Sequence, residues 1–168
     1  MGVLGLGALL SLVYALWAFT ARRGIFADFS NGISVTNQHA TSSDRLDTAL
    51  LVLGSVAVVA AIALWVARTV NAGSVDGGLE RGGFATTGLG VVLVLVGLYL
   101  SSTIIDAGDQ VSQGDRGVTA TGVTGAGFLI VAIGLTLGLL AVRAGRRPEQ
   151  RGHPGHHRPT GPAGYAPR

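Results

Sequence analysis

"VTGAGFLIVAIGLTLGLLAV", residues 123–142, runs for 20 positions without Asp, Glu, Arg, Lys or His. A helix needs about 20 apolar residues to cross roughly 30 Å of hydrocarbon. In lipid the backbone must satisfy its own hydrogen bonds, so such a run is helical. A strand reading fails, because transmembrane strands are about 10 residues long with alternating polarity. Three further runs have the same character: Gly2–Thr20, Thr48–Ala67 and Phe84–Ile105. The predicted architecture is therefore all-α. Residues 1–145 form a four-span transmembrane helical bundle, and residues 146–168 form a disordered cytoplasmic C-terminal tail.

Composition agrees with this reading. Only 12% of the 168 residues are charged, against about 25% in a soluble domain. There is no cysteine, which excludes disulfides, thiolate zinc sites and Cys nucleophiles. The first run lacks a positive leader and is longer than the apolar core of a signal peptide. It is expected to be an uncleaved span.

All 12 basic residues are arginines, and they orient the chain. With four spans both termini share a side, together with Arg68, Arg81, Arg143, Arg146, Arg147, Arg151, Arg158 and Arg168. Arg22, Arg23, Arg45 and Arg116 fall opposite. The excess of arginine marks the cytoplasmic side, so both termini are expected inside a bacterial inner membrane. One feature conflicts: Arg22 and Arg23 directly follow the first span, where an inward-facing end would carry them. Snorkelling to headgroups would accommodate them.

The loops follow from the spans. Ala21–Asp47 is extracytoplasmic, and within it Ile25, Phe26, Phe29 and Ile33 share a helical face. That segment is either an ordinary loop or a helix on the membrane surface. Ser42 or Ser43 is placed to cap the second span, with Asp44 in its first turn. Arg68–Gly83 is a Gly-rich cytoplasmic loop, and Asp106–Gly122 is a polar outer one.

Candidate sites are few. His153, His156 and His157 bring imidazoles together, but Pro154, Gly155 and Pro159 deny them a fixed geometry, so no metal or other cofactor is expected. Asp106, Asp109 and Asp115 do not have the spacing of a calcium loop. The net charge of +3 sits in the tail. That tail lies beside anionic lipid, to which each arginine adds about 1 kcal/mol of attraction. Nucleic acid is not an expected partner, because the tail lacks interleaved aromatics. Arg68, Arg143, Arg146, Arg147 and Arg151 are the expected headgroup contacts, and Trp17 and Trp65 the interfacial anchors. Tyr14 and Tyr99 lie deeper, where hydrogen bonds within the bundle are expected.

Small residues inside the spans carry the clearest pattern. Gly134 and Gly138 form a GxxxG, Gly127 and Gly134 repeat at seven, and Gly90, Gly97 and Ser101 form a stripe in the third run. Gly54, Ala57 and Ala61 do the same in the second. Small residues let helix backbones approach, and packing drives association in lipid. This face serves either the bundle itself or a partner.

No ionisable residue lies inside any run, whereas ion pathways and proton relays carry such groups. Small multidrug exporters of similar length hold a Glu in their first span, where this chain has Ser11 and Tyr14. No nucleophile–base pair is visible, so an enzyme is not expected. The end of the second span, "LWVARTVNAG", resembles the W-x-x-R…N signature of an uncharacterised family of actinobacterial multi-span membrane proteins, with Trp65, Arg68 and Asn71 at the matching positions. The resemblance implies a multi-span protein and no activity. The expected function is a structural or accessory subunit, packing against itself or a larger membrane complex. A small transporter or channel for an uncharged or lipid-like substrate is the alternative.

Overall fold

The computed structural model describes residues 1–34, 36–72 and 78–144. The tail, including Arg146, Arg147, Arg151 and the three histidines, lies outside the described residues, as do residues 73–77; the rest of the expected Gly-rich loop Arg68–Gly83 is helical, shared between the ends of two long helices. Among the described residues there is no strand. The helices are α1 (Gly2–Trp17), α2 (Arg23–Ser30), α3 (Asn37–Ala72), α4 (Gly78–Ser102) and α5 (Gln110–Ala144). One wide π-helical turn, Ala18–Arg22, joins α1 to α2 without breaking the rod. Four rods are long and apolar enough to cross a membrane: Gly2–Ser30, Gln38–Asn71, Gly78–Ser102 and Gln110–Ala144.

Successive rods run antiparallel. One end of the bundle, here the near end, holds Gly2, Ala72, Gly78 and Ala144. The far end holds Ser30, Asn37, Ser102 and Gln110. The central helix is α5, which packs along α1, α2 and α4. Half of its most apolar stretch is buried, against 22% for α3. α3 lies at the edge, mainly on α1. The core is filled by Tyr14, Trp65, Phe128, Val131 and Leu135, each no more than 3% exposed.

Two expectations about length are corrected. α3 and α5 have 36 and 35 residues, roughly 50 Å each at 1.5 Å per residue. They therefore continue at the far end beyond the apolar runs. The expected outer loop Asp106–Gly122 is helical from Gln110 onward. The expected cap at Ser42 or Ser43 lies inside α3, which begins at Asn37. Asp109 starts α5 instead: its carboxylate accepts the Ser112 backbone N–H at 2.9 Å and the Ser112 hydroxyl at 2.8 Å. These bonds hold the Asp109 carboxyl below the usual carboxylate range.

The segment around Phe26 is neither a loop nor a free surface helix. It is α2, seated on α5. A Cβ at Gly117 would meet the Phe26 ring, and one at Gly114 would lie 2.6 Å from the Ser30 Cβ. Ser30 donates to Asp115 at 2.6 Å, and Gln110 donates to the Phe29 carbonyl at 3.0 Å. These two glycines, in a stretch of loop-like composition, are where α2 lies down.

Candidate functional site

The glycine pattern resolves into a seam between α4 and α5. Gly97 meets Thr124, Gly90 meets Val131, Val94 meets Gly127, and Thr87 meets Gly134. A Cβ added at Gly90 would lie 2.6 Å from the Val131 nitrogen and 2.7 Å from the Gly127 carbonyl oxygen. One at Gly127 would lie 2.6 Å from the Val94 nitrogen. The pairs advance in alternating steps of three and four, the repeat that keeps two helices face to face. Thr87, 3% exposed, has no hydrogen-bond partner for its hydroxyl and lies against Gly134. Gly90, Gly97, Gly127, Gly134 and Gly138 thus face neighbours within the chain, the packing of the bundle itself. Ser101 is exposed near the end of α4, with its hydroxyl turned back to the Gly97 carbonyl at 3.0 Å.

At the near end the seam opens around Trp65. The ring stacks on Phe84, with centroids 3.9 Å apart and planes at 12°. Added Cβ atoms at Gly83 or Gly138 would lie 2.7 Å from its outer edge. Glu80 Oε1 accepts from Trp65 Nε1 at 3.3 Å and from the Thr69 hydroxyl at 2.9 Å. Trp65 is only 1% exposed. The expected interfacial anchor is therefore an internal wedge that ties α3 to α4 and α5. Arg68, Asn71 and Arg143 are exposed around it.

At the far end the π turn brings Arg22 against α3. Its Nη1 donates to Asp44 Oδ1 at 2.6 Å and to the Ser43 hydroxyl at 3.3 Å. Its Nε lies 3.9 Å from Asp47 Oδ2, and its guanidinium sits 4.8 Å over the Phe26 ring. Only 16% of the Arg22 side chain is exposed. Snorkelling is thus replaced by an ion pair within the protein. Asp47 also faces the Trp17 and Tyr14 side chains, which makes Trp17 part of this cluster. The cluster is hidden in the sequence because Arg22 lies more than 20 positions from Ser43, Asp44 and Asp47, and each charge there has the look of an isolated loop charge.

The two tyrosines divide. Tyr14 is 3% exposed and lies 4.4 Å from Phe128, centroid to centroid. Tyr99 is 70% exposed on the surface of α4, contrary to expectation. Hydroxyls inside the rods are mostly spent on their own helices: Ser11 donates to Gly7, Thr124 to Ala120 and Thr136 to Ala132, at 2.7–2.9 Å.

Fold and polar clusters together define a helical bundle whose four rods are long and apolar enough to cross a membrane, tied at both ends and sealed along its axis by large side chains. Comparison with protein families, curated proteins and solved structures gives no match.

Proposed function

We propose that this protein is a multi-pass subunit of a bacterial inner membrane, with both termini in the cytoplasm and a structural or accessory role beside another membrane protein or a second copy. The observation that carries this reading is α3. It is packed mainly from one side, and it presents Val52, Leu53, Val56, Val59 and Val70 at 53–72% exposure along one rod. The glycines are consumed inside the chain, so a partner would meet this aliphatic face. The Trp65–Arg68–Asn71 resemblance to multi-span proteins fits the same role, with Trp65 holding the bundle and Arg68 left at the surface. The tail's arginines would add contacts to anionic headgroups.

The test is affinity purification of the full chain from membranes in mild detergent, with cross-linking before extraction. A stoichiometric membrane protein or a defined oligomer is expected, and Val56→Trp should deplete it. A chain that is cross-linked to nothing and elutes alone overturns the reading.

A further inference from the structure

A second, independent site lies at the far end, on the other side of the bundle from Arg22. A groove of about 430 Å³ runs between the end of α4 and the start of α5, lined by Tyr99, Leu100, Thr103, Asp115, Arg116 and Thr119. Its lower wall is aliphatic and aromatic, and its upper wall carries one cation and one anion. Arg116 Nη1 donates to the Thr103 carbonyl at 3.0 Å, which fixes the guanidinium over the groove. Among the described residues Arg116 has no ion pair. The Asp115 carboxylate accepts from the Ser30 hydroxyl at 2.6 Å.

The antiparallel seam sets the depths. Gly97 stands level with Thr124, so Tyr99 stands about level with Gly122. Arg116 lies six residues further out on α5, roughly 9 Å at 1.5 Å per residue. The apolar run of α5 begins at Val123. Tyr99 therefore stands level with the end of the apolar run of α5, close to the depth where tyrosine rings settle, and the charges of α5 lie further out.

We infer that this groove binds one phospholipid of the outer leaflet with a zwitterionic, amine-bearing headgroup. The phosphodiester pairs with Arg116, the ammonium with Asp115, and the first acyl carbons pass Tyr99 and Leu100. Guanidinium suits phosphate geometrically, and a primary ammonium offers N–H donors to a carboxylate. An anionic glycerol headgroup lacks the cation, and a choline headgroup lacks the donors.

Native mass spectrometry of the full chain, released from nanodiscs of mixed phosphatidylethanolamine, phosphatidylglycerol and phosphatidylcholine, tests this. One retained phosphatidylethanolamine per chain is expected. Arg116→Gln keeps a donor for Thr103 and should lower that occupancy about tenfold, the size expected for losing a charged hydrogen bond. Asp115→Asn still accepts from Ser30 and should erase the preference for ethanolamine over glycerol headgroups. Equal retention of all three lipids, full retention by Arg116→Gln, or an unchanged preference in Asp115→Asn overturns the assignment. Soluble phosphoethanolamine binding as tightly as the lipid overturns it too, because the site would then not select a bilayer component. Both residues are exposed, and an unchanged melting profile confirms that the variants are folded.

Discussion

Trp65 fills space that two glycines vacate. Its outer ring atoms lie where a Cβ at Gly138 would fall, and phenylalanine lacks those atoms. Gly138→Ala alone should destabilise the bundle, and Trp65→Phe alone should too, through lost packing and the lost bond to Glu80. Combined, they should cost less than their sum, because the smaller ring makes room for the new methyl. Thermal unfolding of the four proteins in one detergent checks this, and strict additivity would remove the wedge from the account. Asp109 supplies a second residue-scale prediction. Its folded pKa is depressed by the Ser112 bonds, so its contribution is fully present above about pH 4 and fades as pH falls through the lowered value. The start of α5, followed by amide exchange, should loosen over that acid range. Asp109→Asn also caps helices and should hold α5 without that pH dependence.

At the scale of elements, the α4–α5 seam makes a sharp distinction between two nearby glycines of one helix. A Cβ at Gly90 meets backbone atoms of α5, which no rotamer change can move aside, whereas Gly88 faces open space. Gly90→Ala should cost on the order of 3 kcal/mol, the upper range for overpacking. Gly88→Ala should be neutral or slightly stabilising, since alanine is the better helix former. Equal melting of the two variants would show that the seam does not hold. This seam was legible in the sequence, because repeats of three, four and seven survive as spacing. The Gly54–Ala57–Ala61 stripe was legible too: Gly7 packs on Ala61 and on the Ala57 carbonyl. The extensions of α3 and α5 were not. A hydrocarbon criterion stops at the first polar residues, and "QGDRG" has the composition of a loop. The Asp109 cap and the seat of α2 on Gly114 and Gly117 accompany the helix there. The π turn was equally hidden, since its effect is to rotate Arg22 toward residues more than 20 positions away.

For the whole molecule, the proposed orientation rests on how arginine charge is distributed between the two ends, and Arg22 bears on that directly. Counted as a bare cation, it opposes an inward N-terminus. Paired with Asp44 at 2.6 Å and close to Asp47, it presents little net charge to the membrane surface. Arg68 and Arg143 remain exposed at the near end. A reporter fused after Arg168 should therefore be active only in the cytoplasm. One inserted at the Gly32 turn, where the chain takes a positive φ of 72° between α2 and α3, should be active only outside. Asp44→Asn with Asp47→Asn exposes the Arg22 charge again, and a fraction of chains should then insert inverted, with the Arg168 reporter appearing on the outer side. If that double variant stays wholly in the parental orientation, Arg22 has no part in topology. If the parental reporters themselves are reversed, the arginine count has been read from the wrong face of the membrane.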